Sequence, residues 1–530
     1  KRIISTLLAI MLMLTLNIGV VAQESGAVFT PGTYTATVNS IGGPLTVSVT
    51  LTQSAIEGIE VLECNDTDGV ADVPLARIPA EILRTQNLNV DTVSGATMTS
   101  ILLRNAIGQA VASGCNDPDA LPKESAPYAA AAQTDMQADV VVVGGGIAGL
   151  TAALASAGNG LETVLLEKNG YVGGTALISE GAILGTYTEP IASNFDYACQ
   201  MLLSHGIDVH PAQFYGYEDY DYRSLDAREG RSVMATLIDQ LSEAAQAAGV
   251  TILTDTPCIG LLDNSGAVAG VSAQPKGQET FQIASPSVIL CTGGFASNKD
   301  LVAKYLPAYA GMRASSLPGA TGDALAWIEA FDGQTIMLDS DFQGYCVNPM
   351  TGYRASSGCT YPLYVDKTGN RFSESAYYTD VVHAAWQQFG SDTFYAIMDD
   401  ATVELFEYRD TMNHMLTANA AVRYDSISAI AEAYNLPDLE KTMTDNGFAE
   451  EGIYYVSPAV ATIYSTYGGI AVDEKVRVLN NAGSTVPGLY AAGEVIGSPN
   501  FQQLGSYFGQ LAPGMIMGTI AADAIAEANS

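Results

Sequence analysis

The chain has 530 residues, 57 acidic against 22 basic for a formal net charge of −35, and 48% of them are hydrophobic. That length is too great for one core and leaves room for two or three domains, while the charge repels nucleic acid and anionic lipid, so nucleic-acid binding is set aside. Seven scattered cysteines with no C-x-x-C or C-x-x-C-H disfavour iron–sulfur clusters and c-type haem, and none of the four histidines has the spacing of a metal site.

In chain order, Lys1-Arg2 precedes a nearly unbroken apolar run, Ile3 to Ala22, that closes on Val20-Val21-Ala22. A charged start, an apolar middle and small closing residues are the parts of a secretory signal; about 20 apolar residues also suffice for an uncleaved membrane anchor. Either reading puts the functional bulk outside the cytoplasmic membrane, secreted or at the cell surface. The stretch "GTYTATVNSIGGPLTVSVTLTQSAIEGIEVLE" alternates apolar and polar residues between glycine turns and predicts a β-meander. Helical spacing follows in "VPLARIPAEILRTQNL" and again in "ILLRNAIGQAVASG", so residues 24–115 form a small α+β domain. Between those helices lies Asp91-x-x-Ser94-Gly95-Ala96-Thr97, which alone passes for a helix start capped by Ser94 or Thr97. Residues 116–137, rich in Pro, Ala and polar side chains, read as a linker.

At residue 138 the texture changes to "ADVVVVGGGIAGLTAALASAGNGLETVLLEK". Four valines make a buried parallel strand, Gly144-x-Gly146-x-x-Gly149 makes a tight turn, and an Ala-rich helix leads to a second strand ending at Glu167. This is a dinucleotide fingerprint in its strand-turn-helix-strand context: the N–H groups of the helix start at Ile147 and Ala148 meet a pyrophosphate, and Glu167, followed by Lys168, accepts from a ribose. Further glycine turns follow strands at Thr292-Gly293-Gly294 and at Gly493-Glu494, and "LAPGMIMGTIAADAIAEA" reads as a closing helix.

From Ala138 onward the chain resembles the fumarate reductase/succinate dehydrogenase flavoprotein superfamily, which includes urocanate reductases and 3-ketosteroid dehydrogenases. The resemblance rests on "VVVVGGGIAGLTAALA", "LLEKNGYVGGTALIS" with Gly173, Gly174 and Thr175, "CTGGFASN", "VDKTGNRFSES", "TYGGIAVDEKVRVLN" and "GLYAAGEVIG", spread over about 390 residues. It implies an α/β, Rossmann-like two-dinucleotide-binding FAD domain in two parts, 138–299 and 461–530, with an inserted capping domain at 300–460 and FAD held non-covalently. Residues 24–115 resemble an FMN-binding domain, whose flavinylation motif matches the stretch ending at Thr97. That resemblance implies FMN joined to the Thr97 hydroxyl as a phosphoester by a flavin transferase, with a membrane-linked electron donor as a further partner.

The substrate positions depart from the fumarate-reducing pattern. Tyr345 stands where a histidine is expected, and the position of the proton-donating arginine falls at Thr379, next to Tyr377 and Tyr378. Tyr464 and Ser465 replace a histidine pair, and "NFQQLGSYFGQ" replaces the last basic loop, with Tyr507 resembling a ketosteroid-dehydrogenase tyrosine. A buried carboxylate needs a charge-assisted partner, whereas tyrosines offer neutral O–H donors and apolar faces. The expectation is an ene-reductase for a small organic electron acceptor that is neutral or aromatic, an enone, steroid or phenolic alkene, serving anaerobic respiration. Tyr378, then Tyr345, is the expected proton donor. Arg354 and Arg371 keep an aryl acrylate open, and a ketosteroid-type dehydrogenase or a non-catalytic flavin carrier are the alternatives.

Overall fold

The computed structural model describes residues 29–116, 118, 121–179, 181, 183–185, 191–212, 221–355, 362–375, 378–405, 409–497 and 511–530. The expected signal at 1–22, Tyr377 and Tyr507 lie outside the described residues.

The meander forms as β1 (Gly32–Ser40), β2 (Gly43–Leu51) and β3 (Ile56–Glu63), paired antiparallel in that order. Strand β2 is buried at every second residue, as alternation requires when one face covers a core. That face, with Leu45, Val47 and Val49, packs against Ile78 and Ile82 of helix α1 (Asp72–Thr85) and Leu103 and Ile107 of helix α2 (Thr97–Gly114). The residue before α2 is Ala96, which makes no side-chain cap; Gly95 supplies the entry turn at φ +82° and Thr97 is the first helical residue.

The larger unit begins with β4 (Val140–Val143), buried along its whole length as a central parallel strand should be. Helix α3 (Ile147–Gly158), β5 (Thr163–Leu166), β6 (Thr251–Leu253) and β7 (Ser287–Leu290) follow. The segment expected to form the cap contributes β8 (Phe342–Val347), helix α4 (Tyr378–Phe389), β9 (Phe394–Asp399) and β10 (Glu451–Thr466), with β8 and β9 both antiparallel to β10. Strand β10 runs unbroken through residue 460, the boundary expected from the sequence. The chain then returns as β11 (Arg477–Leu479) and β12 (Thr485–Ala491), which closes a sheet ordered β6-β5-β4-β7-β12-β11. The last helix, α5 (Leu511–Asn529), packs on α3. Among the described residues α5 is the one helix long and apolar enough to cross a membrane, yet its apolar residues are buried in this core.

The small domain is seated on the larger unit by both apolar and polar contacts. Val70, Val93 and Ala96 belong to the core of the FAD unit. Tyr171 donates from its hydroxyl to the Gly95 carbonyl at 3.1 Å, and the Gly170 N–H donates to the Ser94 carbonyl at 3.2 Å. Arg77 pairs with Asp255 at 2.7 Å, Arg231 with Asp72 at 2.6 Å and Lys276 with Asp91 at 3.4 Å. The expected linker lies across this contact: Tyr128 stacks on the Arg77 guanidinium, and Met136–Gln137 joins the strand Phe281–Ala284.

Candidate active site

The turn after β4 can approach a ligand because its glycines leave room that side chains would occupy. Gly144 has φ +109°, and a methyl there would lie 2.3 Å from the Cys291 carbonyl oxygen. Gly149 lets α3 fold back: a methyl on it would stand 1.8 Å from the Gly144 carbonyl oxygen. Gly146 precedes α3 without a side-chain cap, so the first N–H groups of the helix, at Ile147 and Ala148, face the cleft with their partial positive charge.

A cavity of about 240 Å³ opens at this turn and runs to the capping segment. On one side it is lined by Gly144, Gly146, Glu167, Lys168, Gly173 and Gly174, and Thr175 is beside them. Thr292, Gly293, Gly493 and Glu494 line it from the returning half. Gly149 and Gly294 are not lining residues; a methyl on Gly294 would reach Glu494 Oε1 at 2.2 Å. Thr97, on the small domain, is exposed and lies outside this cavity, while the loop before it is tied to Gly170 and Tyr171.

The residues present fit FAD. The Thr292 hydroxyl oxygen is buried in the cavity wall with no hydrogen-bond partner, and a methyl built on Gly293 meets no protein atom within 4 Å and so projects into the open space. The Glu167 carboxylate accepts from the Gly145 and Asn169 N–H groups, each at 2.8 Å, which fixes it at the end of β5. Burial pushes its pKa up against the pull of those two donors. Lys168 donates to Thr321 at 2.5 Å and Asp323 at 2.7 Å, tying the cleft to the segment that begins the capping region. Glu494 accepts from the Thr466 N–H at 3.0 Å, and burial pushes its carboxyl up to about 7.

At the capping end the same cavity is lined by Gln343, Tyr345, Arg354, Tyr378 and Tyr464. Gln343 and Tyr345 are two apart on β8 and therefore share a face. The rings of Tyr345 and Tyr378 stack with centroids 4.9 Å apart, and Tyr464 meets Tyr345 edge-on at 5.0 Å. The Arg354 guanidinium lies 3.8 Å from the Tyr345 ring centre and 4.9 Å from that of Tyr464. Thr379, one residue along α4 and so turned by about 100°, is buried and does not line the cavity; its hydroxyl has no hydrogen-bond partner. Arg371 is also absent from the lining and pairs with Glu374 and Asn446.

The structure thus joins three of the expected tyrosines to the glycine cradle and adds Gln343, which sequence reasoning passed over. Its signal was a lone amide in the strand "FQGYCV", two residues before a tyrosine singled out for catalysis.

A family profile described as FAD binding domain matches residues 139–217 and 208–508, and one described as FMN-binding domain matches residues 41–112. Urocanate reductase of Eggerthella lenta is 27% identical over 536 residues, covering 88% of this chain and 87% of its own. NADH:acrylate oxidoreductase of Vibrio harveyi is 25% identical over 590 residues and 88% of this chain; the chain spans only 58% of that relative's length. Among solved structures, the open conformation of a flavocytochrome c3 fumarate reductase superposes with a TM-score of 0.62 at 23% identity, over 80% of this chain and 81% of its own. That likeness is one of fold.

Proposed function

Because the chain belongs to the FAD binding domain family, whose profile its residues 139–508 match, we propose that it is an FAD-dependent reductase of an activated C=C bond in an aromatic or extended conjugated acceptor. One observation carries the reading: a single cavity runs from the flavin cradle to the cluster of Tyr345, Tyr378 and Tyr464. Bound in the cradle, reduced FAD supplies hydride for the β-carbon of the alkene. The chain's own residues do the rest. The tyrosine faces give a planar substrate stacking surface, and Tyr378, with Tyr345 second, holds a proton for the α-carbon. The names of the two relatives, an acrylate oxidoreductase and a urocanate reductase, support this reaction class.

Fumarate is not the substrate proposed, because the cavity-lining positions Tyr345 and Tyr464 offer neutral donors. A second reading, reduction of an aryl acrylate, is favoured by Arg354, whose guanidinium lines the cavity between two tyrosine rings. Electrons enter through FMN esterified to Thr97, which is exposed at the first residue of α2 and so open to a flavin transferase. A membrane-linked donor supplies electrons to that FMN in anaerobic respiration, and the composition of residues 1–22 supports a site of action outside the cytoplasmic membrane.

The test is anaerobic oxidation of reduced viologen by the FAD-loaded protein, with fumarate, urocanate, cinnamates, enones, steroids and vinyl phenols as acceptors. Turnover on neutral conjugated acceptors supports the first reading, turnover confined to aryl acrylates the second, and turnover on fumarate alone refutes both.

A further inference from the structure

Gln343 sits beside the stacked pair Tyr345 and Tyr378 and uses both ends of its amide. Its Nε2 donates to the Tyr378 hydroxyl oxygen at 2.7 Å and to the Tyr345 hydroxyl oxygen at 3.1 Å. Its Oε1 accepts from the Ser465 hydroxyl at 3.3 Å. The pairing of β8 with β10 sets this up, since Gln343 and Ser465 are register partners and a bulge follows immediately, where Tyr464 of β10 is skipped and Gly344 pairs with Ile463. A primary amide nitrogen has two hydrogens. Both are used on the tyrosines, and the Ser465 contact holds the amide in the orientation that makes this so.

Two consequences follow for the tyrosines. A phenol that accepts from Gln343 must carry its own proton on another side of the oxygen, and the stacked rings keep the two hydroxyls side by side along the cavity. A phenol oxygen that already receives an N–H is also a better proton donor, because the N–H steadies the negative charge left behind.

We infer that Gln343 is the positioning residue that makes Tyr378 the proton donor and Tyr345 a second O–H donor, toward a substrate whose double bond is conjugated to a carbonyl or carboxylate oxygen. The inference rests on the proposed C=C reduction. In that reaction the β-carbon gains hydride from reduced flavin and the π bond opens. The Tyr378 O–H bond then breaks, its proton bonds to the α-carbon, and the electron pair stays on the tyrosine oxygen until solvent returns a proton. Gln343 Nε2 faces that oxygen throughout. Tyr345 meanwhile donates to the conjugated oxygen, on which negative charge builds as hydride arrives.

The deciding variant is Gln343→Glu. An ionised carboxylate accepts from both tyrosines, reversing both hydrogen bonds, and opposes a charge on Tyr378. The expected result is a loss of kcat of about 10²-fold or more near neutral pH, with FAD content unchanged. Activity should rise as the pH falls and the substituted carboxyl takes a proton, a limb that the unaltered protein lacks. Binding of a saturated ketone analogue such as 4-phenylbutan-2-one, followed through flavin absorbance, should weaken about tenfold or more. A loss equal at every pH, or kcat and analogue affinity within threefold of the unaltered protein, overturns the inference. Should that variant fail to retain FAD, Gln343→Met decides: an expected fall of kcat of about tenfold with KM little changed, against an unchanged kcat that overturns it. If the unaltered protein reduces no alkene, the reduction reading fails on its own, and the analogue titration still tests Gln343.

Discussion

Glu494 and Tyr378 face the same cavity but answer to different forces. Burial holds Glu494 up to about 7 from an ordinary value of 4.5, despite the N–H groups of Thr466 and Gly294 that favour its ionised form. The folded chain therefore binds a proton more tightly than the unfolded one. That contribution to stability is fully present below about 4.5 and is lost as the pH rises through 7. Glu494→Gln is neutral throughout, so the stability of the flavin-free protein minus that of the variant should fall across this window, on the order of 3 kcal/mol in all. Urea unfolding at several pH values measures it, and a flat difference refutes it. Tyr378 is tested by Tyr378→Phe, which keeps the ring stacked on Tyr345 and removes only the hydroxyl. Turnover should fall at least about 10²-fold with FAD retained; undiminished turnover removes Tyr378 from the mechanism.

At the scale of elements, the contact of α5 with α3 shapes the flavin cradle. A methyl on Gly518 would stand 2.6 Å from the Ala148 carbonyl oxygen and 3.0 Å from the Ala152 nitrogen, so the two helices meet backbone to backbone. Gly518→Val should push them apart at the first turn of α3, costing about 1–3 kcal/mol and lowering the FAD-to-protein ratio on purification; a normal ratio and melting temperature contradict this. The cradle was legible in the sequence because strand, glycine turn, helix and acid lie within thirty residues of one another, where spacing alone fixes geometry. The Gln343 cluster was not. Gln343 and Ser465 are 122 residues apart and meet only through the register of β8 against β10. Thr379 and Tyr378 show the same limit at short range, since a position inferred by alignment says nothing of which neighbour on a helix turns toward the cavity.

Across the whole molecule, the small domain and the FAD unit are joined by charge pairs that differ in burial, and burial decides which of them matters. Arg77 and Asp255 have side chains 17% and 2% exposed, whereas those of Arg231 and Asp72 are 20% and 46% exposed. Removing Arg77 leaves a carboxylate buried without its counter-charge, a change that costs about 3–5 kcal/mol. It also strips the guanidinium from the Tyr128 ring. Removing Arg231 leaves Asp72 at the domain contact to be solvated by water, so the cost to that contact is about 1 kcal/mol or less; its other partner, Asp239, lies within the FAD unit. The Ser94–Gly95 loop before Thr97 hangs on the same contact, through Gly170 and Tyr171 next to the cavity-lining Gly173. Arg77→Ala should therefore loosen the domain contact, seen as faster proteolysis between residues 116 and 137, and slow the proposed electron transfer from FMN to FAD in stopped-flow reduction. Arg231→Ala should leave both nearly unchanged. Equal effects from the two variants would mean that the domains are held by the apolar contact of Val70, Val93 and Ala96 with the FAD unit, and that the charges only decorate it.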